Sequence, residues 1–241
     1  TDEIGALTDS FNCMLDRINT LVNQVYQQEL AQKNAEIEAL QAQINPHFLY
    51  NTLDSVNWML IARGEMDISA VVVALGKLMQ YSMDTARAMV SLEEEYRNVR
   101  DYLMIQKNRL EDRLEFTLEL DEPLKCFPVP KLILQPLVEN AIKYGIEPSL
   151  QPGHILVRTR KTDDDIQILV KDNGCGMDEA QLTFYRRLLR NDPSGQTNIG
   201  VRNVARRLQL HFGGRCGFDV SSRPGDGLSI TIRIPAQEEQ P

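Results

Sequence analysis

Apolar residues at Ile4, Leu7, Phe11, Met14, Ile18, Leu21 and Val25 are spaced alternately three and four apart. That is the seam of a coiled coil, which buries itself against a second helix. The pattern lapses and then resumes at Leu30, Ile37, Leu40 and Ile44 in a shifted phase, as an inserted stutter produces. Two readings follow, a static dimerisation stalk or a helix whose rotation or register conveys a signal. From Pro46 the helical period runs through residue 62 and stops near Arg63-Gly64, where glycine suits a helix C-terminus. Asp67 is placed to cap a second helix carrying Leu75, Leu78, Met79 and Met83 to about residue 88. Ser91-Leu92-Glu93-Glu94 has the form of a capping box and opens a third, with Tyr96, Val99, Leu103 and Gln106, toward residue 108. Three helices with short links predict antiparallel packing in a bundle.

Past Arg113 the period shortens to two. Alternation predicts strands over 114–120, 155–160, 166–171, 218–221 and 228–234, with helices between them over 131–144, 178–190 and 199–212. The chain therefore reads as α+β and multidomain. Its expected divisions are a signalling helix over 1–28, a dimeric helical region over 29–110, an α/β domain over 111–236 and a disordered polar tail over 237–241.

Within this frame Asn45-Pro46-His47-Phe48-Leu49-Tyr50-Asn51 stands out, because proline inside a helix removes a donor and costs ~3 kcal/mol. A chain that keeps Pro46 uses the kink or the helix start, and the adjacent imidazole of His47 becomes a candidate for chemistry. Asn51, one turn later on the same face, either orients that imidazole or a water, or is a surface amide. His154 and His211 have no such setting and read as structural.

Composition narrows the setting. The 241 residues are 42% hydrophobic and 25% charged, which is ordinary for a globular chain. A net charge of −8, with no long basic block, gives no support for nucleic-acid binding. Four widely separated cysteines form no metal-type pair, so reduced thiols in a cytosolic compartment are expected. No apolar run reaches the ~18 residues of a membrane span and no signal peptide is visible, so this stretch is expected to be soluble.

Three short motifs follow in order in the α/β half. Leu137-Val138-Glu139-Asn140-Ala141-Ile142-Lys143-Tyr144 puts Asn140 and Lys143 on one helix face, an amide to coordinate magnesium and an ammonium to neutralise phosphate. Asp172-Asn173-Gly174-Cys175-Gly176-Met177 ends a strand with a carboxylate able to accept from an exocyclic amine, then glycines that let a ligand approach the backbone. Asn198-Ile199-Gly200-Val201-Arg202-Asn203 opens a helix whose free N–H groups favour phosphate. Each alone has a bland reading, a solvated helix face or a plain glycine turn.

In this order, with the histidine segment ahead of them, the motifs resemble the N, G1 and G2 boxes of the GHKL (Bergerat) ATP-binding fold. The chain from about residue 29 to 235 resembles sensor histidine kinases of the LytS and YesM type, whose phosphoacceptor motif has the form of residues 43–53. The start, Asp2-Glu3-Ile4-Gly5 with Leu7 and Phe11-Asn12, is similar to the last helix of a HAMP module. The resemblance implies a coiled-coil helix and dimeric bundle followed by a GHKL α/β sandwich. It also implies that His47 accepts the γ-phosphoryl group of ATP, which then passes to an aspartate of a response regulator. Asn140 would hold Mg²⁺, Lys143 and Tyr144 would border the nucleotide, and Asp172 would read the adenine amine. Gly174, Gly176 and Gly200 would shape the pocket, with Arg202 and Asn203 beside it, and residues 177–197 would form a lid in which Arg186, Arg187 and Arg190 either reach phosphates or are solvated. A homodimer at the cytoplasmic face of a membrane, anchored by a preceding segment, is implied as well.

Three departures bear on mechanism. Pro136 stands where hydrolytic members of the fold carry a water-activating glutamate, which argues for phosphoryl transfer over ATP hydrolysis. Phe48 follows the histidine where many histidine kinases have an acid, so the base is unassigned. Asn198 replaces a glycine of the third box, and Gly225-Asp226-Gly227 matches the final glycine box only in part; both leave open a signalling scaffold that has lost catalysis.

Overall fold

The computed structural model describes residues 46–84, 87–162, 164–189 and 199–236, together with helical positions 14, 17, 28, 29, 32 and 33. The heptad seam apart from Met14, the HAMP-like start, Gln43 to Asn45, Arg190, Asn198, the second half of the expected lid and the tail over 237–241 lie outside the described residues. The chain divides into two compact units, residues 1–51 and 52–241.

Helix α1 (Pro46–Ala62) ends as its sequence dictates. Gly64 adopts φ 77°, the Glu65 N–H donates to the Leu60 carbonyl and the Gly64 N–H to that of Ile61, both at 3.0 Å. This is a Schellman closure, which needs a residue without Cβ strain at the left-handed position. Helix α2 (Met66–Met83) starts at Glu65 without a side-chain cap, so Asp67 lies in its first turn instead of capping it. It also stops five residues short of the expected end, because Met89–Ser91 forms a short strand, β1, that pairs antiparallel with β3 (Pro128–Pro130). Three-residue strands carry too little alternation to be read from sequence.

Helix α3 (Leu92–Leu110) carries the expected capping box: Ser91 Oγ accepts from the Glu94 N–H at 3.2 Å, and Glu94 Oε2 accepts from the Ser91 N–H at 3.0 Å. Its packing is not that of a third bundle helix alone. Leu92, Tyr96, Val99 and Leu103 are all buried in the core of the α/β part, and the Tyr96 hydroxyl donates to the Glu119 carbonyl at 2.9 Å. The expected boundary near residue 110 is thus a change of periodicity and not a break in packing.

Five strands form one mixed sheet in the order β2-β4-β5-β7-β6. They are β2 (Leu114–Leu120), β4 (Gly153–Lys161), β5 (Asp165–Asp172), β6 (Gly217–Ser222) and β7 (Leu228–Pro235). Strand β4 runs parallel to β2, and the other pairs are antiparallel. Ile155 and Val157, then Ile166, Ile168 and Val170, then Ile230, Ile232 and Ile234 are buried on one face. A strand's period of two turns alternate side chains to the same side. That side is covered by α3, by α4 (Gln135–Asn140) with the π-helical turn Ala141–Ile146, and by α6 (Ile199–Phe212), whose Val201, Val204 and Leu208 join the core. Helix α5 (Glu179–Leu189) packs against α6 and β6.

Candidate functional site

Asp172 inherits its position from β5. Ile166, Ile168, Val170 and Asp172 share the buried face, so the strand's last residue carries its carboxylate into the core side, where it is 2% exposed. Oδ1 accepts from the Gly174 N–H at 2.8 Å and the Leu228 N–H at 3.3 Å. Oδ2 has no protein donor among the described residues. Burial raises the pKa of this carboxyl above the usual aspartate range, and the two backbone donors only partly offset that.

Asp172 lines a cavity of about 360 Å³ together with Asn140, Tyr144, Gly145, Cys175 and Gly176, closed by Met177, Gln181, Phe184, Tyr185 and Leu228. That volume lies in the range of small-molecule sites. Glycines bring the walls together. A Cβ on Gly145 would lie 2.7 Å from Asp172 Oδ1, and one on Gly174 would lie 2.2 Å from the Gly145 backbone. Gly176, at φ 66°, passes so close to the Arg223 carbonyl that a Cβ would sit 1.9 Å from it, and a Cβ on Gly227 would lie 2.0 Å from the Asp172 carbonyl. The Gly225 N–H donates to the Cys175 carbonyl at 2.8 Å, so the turn over 225–227 is packed directly on the segment 172–176.

The helix bearing Asn140 winds differently from the expected α-helix. Residues Ala141–Ile146 form a π turn, with i→i+5 bonds. Wider winding swings the residue three positions after Asn140 away from its azimuth, and Tyr144 and not Lys143 joins Asn140 in the cavity wall. The exposed Lys143 ammonium lies 5.1 Å from the centre of the Tyr144 ring. Gly174 supports the wall from behind through Gly145. Gly200 packs at the start of α6, where a Cβ would be 3.3 Å from Pro136 Cβ, and Gly200, Arg202 and Asn203 are not among the cavity-lining residues. Arg186 is engaged elsewhere, donating from Nε and Nη2 to the Val220 carbonyl at 3.2 and 2.9 Å; Arg187 is exposed.

Sequence reasoning assigned no site role to Gly145 or Leu228, and it placed Gln181, Phe184 and Tyr185 only within the expected lid over 177–197. Gly145 carried a signal, a glycine directly after the Asn140 helix. Tyr185 carried none, since an aromatic residue at helical spacing reads as core. Helix α5 is set by a reciprocal cap: Asp178 Oδ1 accepts from the Gln181 N–H at 2.8 Å and Gln181 Oε1 from the Asp178 N–H at 3.0 Å.

In the other unit His47 is exposed and Phe48 is 65% exposed. Asn51 Nδ2 donates to His47 Nδ1 at 3.2 Å, the contact expected from residues one turn apart. His154 Nε2 is 3.0 Å from Thr117 Oγ1 across the β2–β4 pair.

Donor chemistry in the cavity fits an adenine nucleotide. Asp172 brings a buried carboxylate oxygen without a protein donor among the described residues, Met177, Phe184 and Leu228 add apolar surface that a flat ring could pack against, and Asn140 adds an amide. Among the described residues no group of three or more His, Cys, Asp and Glu could hold a metal ion. No described helix is long and apolar enough to cross a membrane.

Comparison with known proteins agrees with this geometry. Residues 35–114 match the histidine kinase family, and residues 129–238 match the family of histidine kinase-, DNA gyrase B- and HSP90-like ATPases. The chain is 42% identical to the sensor histidine kinase YesM of Bacillus subtilis over 238 residues, 99% of this chain and 40% of YesM. It is 31% identical to an uncharacterized sensor-like histidine kinase of Staphylococcus epidermidis, over 89% of this chain and 41% of that protein. It is 27% identical to the sensor protein kinase HptS of Staphylococcus aureus, over 89% of this chain and 41% of HptS. The chain thus spans about 40% of the length of these curated relatives. Residues 35–114 thus belong to the histidine kinase family and residues 129–238 to the histidine kinase-, DNA gyrase B- and HSP90-like ATPases, in the order and over the stretch in which the chain is similar to YesM.

Proposed function

We propose that this chain is the catalytic part of a two-component sensor kinase, transferring the γ-phosphoryl group of ATP to His47 and from there to an aspartate of a response regulator. The observation that carries the reading is the buried Asp172 carboxylate in the cavity wall, with Oδ1 taken by two backbone N–H groups and Oδ2 left for an amine. Its acceptor selects a purine that donates at that position. Asn140 is the residue to hold Mg²⁺, which when bound neutralises phosphate charge. Lys143 and Tyr144 border the phosphates and the ring, and Gly174, Gly176, Gly200, Arg202 and Asn203 belong to the supporting boxes. Histidine suits the acceptor role because a ring nitrogen carries a lone pair that can attack phosphorus. Pro136 offers no carboxylate to activate water, which favours transfer over hydrolysis.

The same reading makes the protein a homodimer joined through the helical region and attached to the cytoplasmic face of a membrane by a segment outside this chain. Purified protein incubated with Mg²⁺ and γ-labelled ATP is expected to gain acid-labile phosphate, all of which is lost in His47→Gln and in Asn140→Ala and when EDTA is present. Label retained in His47→Gln would sink the assignment of the phosphoacceptor.

A further inference from the structure

Tyr185 is a polar residue of the cavity wall that the proposed function leaves without a task. It sits on α5, is 2% exposed, and its hydroxyl has no hydrogen-bond partner among the described residues. Burial of an unpaired hydroxyl is costly, and nearly all such groups in folded proteins find a partner. Neighbouring side chains explain why none is supplied from within. Phe184, Met177 and Leu228 are apolar, and both donors to Asp172 are backbone N–H groups on Oδ1. Burial, and after it the nearby Asp172 charge, raise the phenol pKa, which keeps the proton on the oxygen and leaves it a donor. An acceptor-only carboxylate and a phenolic donor thus share one cavity wall without bonding each other. The ligand edge that satisfies both offers a hydrogen-bond donor beside an acceptor. Adenine has that edge, an exocyclic amine flanked by the ring nitrogens N1 and N7.

We infer that the Tyr185 hydroxyl is a second reader of the purine, donating a hydrogen bond to a ring nitrogen next to the amine that Asp172 accepts. This rests on the nucleotide reading above. It makes α5 part of the base-recognition wall, so that the helix following the second box contributes specificity directly.

The test measures displacement of a fluorescent ATP analogue from the full chain by ATP, 1-deaza-ATP and 7-deaza-ATP, for the wild type and Tyr185→Phe. The variant is expected to bind ATP about tenfold more weakly, the loss of one hydrogen bond to a buried acceptor. For one of the two deaza nucleotides the wild type and the variant should bind alike, and as weakly as the variant binds ATP. The unliganded variant should unfold at the same or a higher temperature than the wild type, because the group removed had no partner. Equal loss on ATP and both analogues, or no loss on ATP, overturns the role of Tyr185 while leaving ATP binding in place. Failure of the wild type to bind ATP at all overturns the nucleotide reading and this inference together.

Discussion

The Tyr81 hydroxyl donates a hydrogen bond to the Glu95 carboxylate, joining α2 to α3 at a residue that is 0% exposed. The same carboxylate accepts the N–H groups of three successive residues, Leu132 at 2.6 Å on Oε1 and Ile133 and Leu134 at 2.9 Å on Oε2. Leu132 takes φ 60°, a left-handed conformation costly for leucine, and so turns its N–H toward the others in a nest for the anion. Burial raises the Glu95 pKa, with the Tyr81 bond and then the three backbone bonds opposing it. One side chain therefore fixes the start of the helix that carries Asn140.

Glu95→Gln replaces an acceptor by a donor facing N–H groups, and is expected to destabilise the protein by about 3 kcal/mol or more. Tyr81→Phe removes one charge-assisted bond, at about 1.5–2 kcal/mol. Urea unfolding midpoints measure both. A smaller loss for Glu95→Gln than for Tyr81→Phe would contradict the central place of the carboxylate.

Glycine substitutions separate close approach from ordinary packing. Gly174→Ala drives a Cβ to 2.2 Å from the Gly145 backbone, so the two segments must part, at about 3 kcal/mol and with loss of nucleotide binding. Among the described residues Gly200→Ala meets only the Pro136 side chain, at 3.3 Å, in a helix where alanine is favoured by up to ~1 kcal/mol. Its unfolding midpoint should stay within about 1 kcal/mol of the wild type, and thermal melts of the two variants are the comparison.

Acid should weaken nucleotide binding through Asp172. Its folded pKa is raised, so the unliganded protein gains relative stability from this group below the unfolded aspartate value of ~3.9, and loses it as pH rises through the raised folded value. Binding runs the other way, because only the ionised form keeps both oxygens as acceptors, Oδ1 for the two backbone N–H groups and Oδ2 for the amine. ATP affinity is expected to fall as pH drops through the raised value, earlier than an exposed aspartate would allow. Asp172→Asn should bind weakly at every pH while remaining at least as stable as the wild type near neutrality. A pH profile identical in the two proteins would remove Asp172 from the binding step.

Asn51 bears on which nitrogen of His47 is free. With its Nδ2 donating to Nδ1, the ring proton sits on Nε2; rotating the amide to present Oδ1 puts the proton on Nδ1 and frees the Nε2 lone pair. Asn51→Ala is expected to slow labelling of His47 by about two- to tenfold, the worth of one exposed hydrogen bond. Asn51→Asp, an acceptor on both oxygens, should keep or raise the rate. Equal rates in all three proteins would return Asn51 to a surface amide.

Much of the fold was legible because periodicity is local. Strand β2 spans the residues its alternation marks, α6 likewise, and the Ser91–Glu94 box forms with both of its bonds. Strand β5 runs one residue past its expected end, so Asp172 shares the buried face of Ile168 and Val170. The candidate site was legible where a motif is contiguous, as at Asn140, Asp172 and Gly176, and less so where residues meet across the fold.

Sequence by itself therefore determined the elements, the buried face of each strand, and the order of motifs that identifies the family, since all of these are written in spacings of two to five residues. Tertiary structure decided what those elements touch. It drew α3 into the α/β core through Tyr96, wound residues 141–146 into a π turn that trades Lys143 for Tyr144, and set Tyr185 beside Asp172. It also closed Glu95 over a nest 37 to 39 residues away. Such choices rest on volume, close backbone approach and the pairing of buried polar groups between distant segments, and no local period records them.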